Sequence, residues 1–380
     1  MMTLNILHIA SGQGGWGGTE KHIIDVASAL KRRGHRVTIG CQPGSEVERR
    51  AQAAGLATIY LTMRKQHDWK QLPHFVRALR NRYDVVHIHD EKDYIVPSVA
   101  ARFMRVPVLV MTRHKPTHFR NALVAWACSA IFYDKIIAVS DFGRGLMLAD
   151  RVSPDRIVVV KNGMDAEHFR QGSNSNLREE LGIPATAFVV AVAGRLIRGK
   201  GFDILIRAVA AARRRGLDAH CLIAGTGDKH DELVQLSQEL GVQSAVRLLG
   251  FRSDIAAVFG AADAVSVPSS TLPETFCYAA LEGLASGRPV IASRFGALPE
   301  LITPEAGYLT SPGDPESIAE VMIELARDPD TRLAMGKEAL RRSQEFSLDA
   351  CAGGLEAVYT SLMTKGPTAA PENVPSEIRS

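Results

Sequence analysis

Short runs of β-branched and other apolar residues recur along the chain, and most are separated by segments whose apolar positions repeat every three or four residues. In the first half the runs are NILHIA (5–10), HRVTIGC (35–41), ATIYL (57–61), DVVHIH (84–89), VPVLVMT (106–112), KIIAVS (135–140) and RIVVVKNG (156–163). Between them, residues 20–34 place Ile23, Ile24, Ala27 and Leu30 on one helical face, and residues 72–82 do the same with Leu72, Phe75, Val76 and Leu79. Runs that are apolar almost throughout predict strands buried on both faces. Alternation with helices then predicts a parallel sheet wrapped by helices.

A polar, strand-poor stretch (165–187) follows, and the rhythm restarts. FVVAVAG (188–194), HCLIAG (220–225), VRLLG (246–250), DAVSVPS (263–269) and PVIAS (289–293) read as strands, with helices over 202–216, 231–241 and 277–287. The pattern predicts an α/β chain of two Rossmann-like, doubly wound domains, 1–168 and 169–345, facing a central cleft. A helix over 346–365 is expected to pack back toward the first domain, and the Pro- and Ser-rich residues 366–380 read as a disordered tail.

Composition adds little to the fold and something to the function. Five scattered cysteines, none in a C-x-x-C pair, favour a reducing compartment over a disulfide framework. The N-terminus enters a strand without a leader-like segment, and the longest apolar stretch, 122–133, is too short to span a bilayer; a cytoplasmic protein is expected. Residues 1–170 hold 25 Lys and Arg against 15 Asp and Glu, whereas the remainder holds 20 against 26. A basic first half suggests an anionic partner or a biased solvated surface.

The loop after the first strand, SGQGGWGGTEKH, contains G-x-G-x-x-G through Gly12, Gly14 and Gly17. A dinucleotide loop of that kind needs an acidic residue about 20 positions on to hold the ribose. The second strand ends in TIGCQPG (38–44), without one, so a nicotinamide-dependent oxidoreductase is disfavoured. What remains is a turn whose Gly17 and Gly18 let backbone approach a ligand, with Thr19 expected to cap the next helix. Trp16 suits acceptor stacking or plain loop packing equally.

The second half carries sharper chemistry. Gly194, Arg195, Lys200 and Gly201 lie on one strand-to-helix turn, and two cations there suit a diphosphate. Glu274 and Glu282 stand eight residues apart, on a loop and inside the following helix, where two carboxylates could grip two parts of an extended ligand. The N–H groups of Phe276, Cys277 and Tyr278 would face a phosphate between them. Such a set describes a nucleotide-sugar site.

GGTEKH, VSDF, KNGMDAEHF, GRLIRGKGFDILIRA, AGTGD, LLGF, VPSSTLPETFCYAALEGLASGRPVIAS and GALPEL occur in the order seen in family 4 retaining glycosyltransferases of GT-B fold, which the chain resembles from about residue 4 to 363. The resemblance implies that Glu274 contacts the transferred sugar and Glu282 the ribose. It implies that Arg195 and Lys200 neutralise the leaving diphosphate, that Gly17 and Gly18 close over it, and that His114 faces the reacting centre. It also implies a nucleotide-sugar co-substrate, a UDP-sugar being the expected donor, with no metal and no other cofactor. Cys277 stands where the family usually has glycine, which would narrow the sugar pocket.

The stretch HIHDE invites a metal reading through His87, His89 and Asp90, but no third or fourth ligand is evident from sequence. Cations at Arg64, Lys65, Lys70, Arg77 and Arg80, with Trp69, suit an anionic membrane surface, although the helix over 72–82 would as readily bury its apolar face on the sheet. Arg113, Lys115, His118 and Arg120 suit an acidic or phosphorylated acceptor. The preferred expectation is a glycan or lipid-linked acceptor in lipopolysaccharide or polysaccharide biosynthesis, and no nucleic acid. A small soluble acceptor, or a non-catalytic binding protein, is the alternative.

Overall fold

The computed structural model describes residues 2–10, 17–61, 68–80, 82–89, 95–116, 131–171 and 176–365. Most of the opening glycine loop, Arg64, Lys65, Asp90, His118, Arg120, nearly all of segment 122–133 and the tail 366–380 lie outside the described residues. The chain divides into two compact units: Met1–Gly163 with Leu348–Ser380, and Met164–Ser347.

Unit 1 is built on a seven-stranded parallel sheet: β1 (Asn5–Ile9), β2 (Arg36–Cys41), β3 (Ala57–Tyr60), β4 (Val85–Ile88), β5 (Val108–Arg113), β6 (Lys135–Ala138) and β7 (Ile157–Val159), in the order β3-β2-β1-β4-β5-β6-β7. Chain direction across the sheet reverses between β1 and β4, where His8 pairs with His87 in register. Side chains alternate between two cores. Ile6, Val85, Val108 and Val110 belong to one, with Ile23, Val26 and Leu30 of α1 (Gly18–Arg32) and Leu355 and Tyr359 of the chain's last described helix (Leu348–Lys365). Leu7, Ile9, Val86, Ile88, Leu109 and Met111 belong to the other, with Phe75 and Leu79. The returning helix is fastened by Arg33, whose guanidinium donates to Glu356 at 2.7 Å and to Asp349 at 2.8 Å.

The helix over Leu72–Leu79 settles one open point. Phe75 and Leu79 are buried in the core, Leu72 and Val76 pack against it, and Arg77 and Arg80 are exposed. Its apolar face is therefore committed to the sheet. No helix among the described residues is long and apolar enough to cross a membrane.

Unit 2 repeats the plan with six parallel strands: β8 (Phe188–Ala193), β9 (Ala219–Ala224), β10 (Val246–Leu248), β11 (Ala264–Val267), β12 (Val290–Ser293) and β13 (Gly307–Thr310), ordered β10-β9-β8-β11-β12-β13. Every residue of β9, β11 and β12 is buried, which is why these strands read as unbroken apolar runs. The direction reverses between β8 and β11. The carboxyl ends of those two strands are where a doubly wound sheet leaves room for a ligand.

Candidate functional site

In unit 2 the expected site residues grow from that reversal point. β8 leads into the turn 194–201 and then the helix Phe202–Arg214; β11 leads into residues 268–277 and then the helix Tyr278–Ala285. The two loops are pressed together. Ser270 N–H donates to the Gly199 carbonyl at 2.9 Å. Gly201 sits at φ +78°, and a Cβ there would lie 1.9 Å from the Pro268 carbonyl oxygen, so only glycine fits this junction.

The junction delivers Lys200 to Glu274, and Lys200 Nζ donates to Glu274 Oε1 in a half-buried ion pair. Ser269 Oγ donates to the same oxygen at 3.5 Å. The backbone of Glu274 is held from the far side: Ala297 N–H donates to its carbonyl at 2.8 Å, and a Cβ on Gly296 would come within 2.6 Å of that carbonyl oxygen. Gly296 is thus a positioning residue that sequence reasoning missed; the signal was present in GALPEL, three residues before Pro299. Arg195, directly beyond β8, is exposed and makes no ion pair among the described residues.

Cys277 is the N-cap of the Tyr278–Ala285 helix and has no side-chain cap bond, so the helix starts one residue later than the set Phe276, Cys277 and Tyr278 suggests. Burial, then the Glu274 charge, push the Cys277 thiol up to about 12, so it is a neutral filler here. The Phe276 ring lies 5.4 Å from that of Tyr278 and 6.1 Å from that of Phe346, and packs rather than points outward. Glu282 is half-buried and sits one turn, about 6 Å of rise, into the helix.

In unit 1 the reversal point carries histidines. Residue parity explains it: His8 on β1, His87 on β4 and Thr112 on β5 share the face covered by α1 and the returning helix, and His89 and His114 continue that face past the strand ends. His8 Nδ1 lies 2.7 Å from His89 Nε2, and His89 Nδ1 lies 3.2 Å from His114 Nε2. His87 uses both nitrogens, Nδ1 with the Tyr359 hydroxyl and Nε2 with Thr112 Oγ1, each at 2.6 Å. His22, one turn into α1, stands edge-on to His114 at 5.4 Å. Burial drives the pKa of His8 down to about 3 and lowers those of His22, His87, His89 and His114, so the rings are neutral near pH 7.

His8 is the third ring that the HIHDE reading lacked, and candidate ligand atoms of His8, His87 and His89 lie within 4.8 Å of one another. Both nitrogens of His87 and of His89, and Nδ1 of His8, are nonetheless engaged in hydrogen bonds at distances too short to admit an ion without rebuilding, which leaves His8 Nε2 as the one nitrogen of the three rings without a partner among the described residues. Two expectations need correction. Gly17 is the α1 N-cap, so Thr19 lies inside the helix and does not cap it. Arg113 is buried and donates to Asp150 at 2.8 Å, so it holds the fold and does not face an acceptor. Gly17 and Gly18 start the helix that carries His22, which groups them with His114.

Two doubly wound parallel sheets of this topology are the architecture the chain shares with solved glycosyltransferases of GT-B fold. The group 1 glycosyl transferase model matches residues 173–342 and the glycosyltransferase family 4 model residues 16–168. The chain belongs to the family 4 glycosyltransferases. It is 31% identical over 407 residues to a D-inositol 3-phosphate glycosyltransferase of Corynebacterium glutamicum, covering 96% of this chain and 95% of that one. Among solved structures it resembles Anabaena Alr3699/HepE in complex with UDP (TM-score 0.84, 26% identity, 94% of this chain and 100% of that one). The same protein in complex with UDP-glucose gives a TM-score of 0.82 at 25% identity, with the same coverage.

Proposed function

We propose that this glycosyltransferase moves a sugar from a UDP-sugar to a hydroxyl of a small phosphorylated acceptor, with unit 2 holding the donor. The observation that carries the donor side is the Lys200–Glu274 ion pair at the reversal point. In the free protein the two charges satisfy each other. A diphosphate draws Lys200 away and leaves Glu274 as a bare acceptor for the sugar's hydroxyls. Arg195 supplies a second cation, the N–H groups opening the Tyr278–Ala285 helix a third positive element, and Glu282 an acceptor for the ribose diol.

In the transfer, the bond between the sugar's anomeric carbon and the diphosphate oxygen breaks, and its electron pair leaves with the diphosphate. The acceptor oxygen forms the new bond, and its proton passes to the departing diphosphate. Lys200, Arg195 and the helix N-terminus stabilise the charge that develops on the leaving group. His114 orients the reacting groups, and Gly17 and Gly18 let backbone approach them. The UDP complexes of the Anabaena protein support the choice of base, and the name of the Corynebacterium relative supports a phosphorylated cyclitol as the acceptor class.

Thermal shifts with UDP, GDP and ADP test the donor, since a ligand binding only the native state raises its melting temperature. Transfer from UDP-glucose to inositol 3-phosphate tests the acceptor. A stabilisation by GDP or ADP and none by UDP refutes the donor assignment. A second reading, a lipid-linked glycan acceptor at an anionic membrane, is favoured by exposed Trp69 and by exposed Arg77 and Arg80 on the helix segment that follows it. Co-sedimentation with vesicles containing anionic lipid at low salt supports it; no binding removes it.

A further inference from the structure

We propose that His8 and His89 are positioning residues that hold His114 in a single tautomer with its proton on Nδ1, so that Nδ1 is the donor nitrogen of His114. The geometry is a chain of three rings: His114 Nε2 to His89 Nδ1 at 3.2 Å, then His89 Nε2 to His8 Nδ1 at 2.7 Å. Each neutral ring owns one proton, so the chain has only two polarities, and choosing one at either end sets the other end.

The inner end decides. His8 is fully buried, and its Nε2 has no hydrogen-bond partner. His87, its register neighbour, has both nitrogens engaged by Tyr359 and Thr112. If protons pointed inward, from His114 Nε2 to His89 and from His89 Nε2 to His8, the proton of His8 would sit on Nε2 as an N–H in a dry interior without an acceptor. With the opposite polarity His8 Nδ1–H donates to His89 Nε2, His89 Nδ1–H donates to His114 Nε2, and only a lone pair is left unpaired at His8. Orphaned buried N–H groups are the rarer of the two defects. The outward polarity therefore holds, and it places the proton of His114 on Nδ1.

The surroundings keep the chain neutral. The titratable groups acting on these rings are His22 from α1, His87 from β4 and the rings themselves, with the Lys115 cation beside His114; all oppose an added proton. A fourth proton, which would make one ring an imidazolium that donates from both nitrogens and so break the choice between the two polarities, is thereby excluded at neutral pH. The tautomer is a property of unit 1 alone. Only its catalytic consequence rests on the reading that His114 faces the reacting centre.

Protein labelled with 15N at histidine, examined by long-range 1H–15N correlation at pH 7.5, tests the inference directly. The expected spectrum shows protonated Nδ1 and bare Nε2 for His8, His89 and His114, with His114 assigned by its loss in His114→Phe. A protonated Nε2 at His114, or a spectrum changed by chelator treatment, overturns it. His8→Asn places an amide N–H near the position of Nδ1 and is expected to leave the His114 signals in place. His8→Leu removes the donor and is expected to give a mixture of both His114 tautomers. Identical His114 patterns in the two variants refute the positioning role. If His8→Leu does not fold, the wild-type spectrum alone still decides the polarity. In transfer assays His8→Leu lowers kcat while leaving the KM for UDP-glucose unchanged, and His8→Asn restores kcat. An unchanged rate in His114→Phe would instead refute the reading of His114 and leave the tautomer result standing.

Discussion

Acidification should unfold unit 1 at a pH where few carboxylates have titrated. His8, His22, His87 and His89 are at most 2% exposed, and burial holds all four neutral. Unfolded, each titrates at about 6.5, so below that pH the unfolded chain binds protons that the folded unit does not. The folded pKa values are depressed, so the stability is present above about 6.5 and is lost as pH falls. Each ring costs about 0.1 kcal/mol at pH 7.5 and about 1.4 kcal/mol at pH 5.5. Four rings therefore remove about 5 kcal/mol between those values, a large share of the 5–15 kcal/mol typical of a domain. Carboxylates with lowered pKa, such as Glu356, act below about pH 5 and do not contaminate this window.

The assay has a built-in reporter. Trp16, Trp69 and Trp126 are the protein's three tryptophans, and all belong to the sequence of unit 1. Urea melts followed by tryptophan fluorescence at pH 7.5, 6.5 and 5.5 thus read unit 1. Stability should fall with a slope corresponding to between four and five protons near pH 5.5, roughly 0.9 for each of these four rings and for His114, which burial also lowers to about 3. A loss under about 2 kcal/mol across the whole interval would refute the neutral, sealed cluster.

Three further outcomes follow from single contacts. Lys200→Ala should lower kcat by about 10²–10³, the usual cost of removing one donor to a developing anion, with an unfolding midpoint near that of wild type; an undiminished kcat would remove Lys200 from the site. Gly296→Ala would put a Cβ within 2.6 Å of the Glu274 carbonyl oxygen at φ +60°, so activity should drop and UDP should give a smaller thermal shift than it gives wild type. Arg113→Ala removes one side of a buried ion pair, the guanidinium that donates to Asp150 at 2.8 Å; a cost of about 3–5 kcal/mol, read by tryptophan fluorescence, is expected, and less than about 1 kcal/mol would contradict the burial of the pair.

Both sheets were legible because strands buried on two faces write themselves as nearly unbroken apolar runs, and Val108–Thr112 or His220–Gly225 can hardly be read otherwise. Several of the elements that escaped lack such a signature, although Pro315–Arg327, a helix that buries Ile318, Met322 and Leu325, was missed in spite of its apolar stripe. Glu46–Ala53 is a helix with only Val47 and Ala51 buried; Asp141–Ala149 is a helix carrying Gly143 and Gly145; β13 is four residues long and half of it is only partly buried. Of the candidate site, the residue types and loops were visible, and the pairings were not. Lys200 and Glu274 are 74 positions apart, and His8 and His89 are 81 apart. Each pair meets only because two strands adjoin at the point where the sheet reverses, and nothing local in the chain encodes that adjacency.

The return of the last helix to unit 1 also orders events during synthesis. Unit 2 is contiguous, Met164–Ser347, whereas unit 1 is interrupted by it. The hydroxyl that closes on His87 belongs to Tyr359, and Leu355 and Leu362 complete the core around Ile23 and Leu30. At translation rates of about 5–20 residues per second, the first seven strands wait roughly 10–40 s for Tyr359 after Gly163 has been made. A nascent chain released before residue 348 should therefore carry the whole second unit and a first unit with one face of its sheet covered by α1 alone, the form in which a chaperone would meet it.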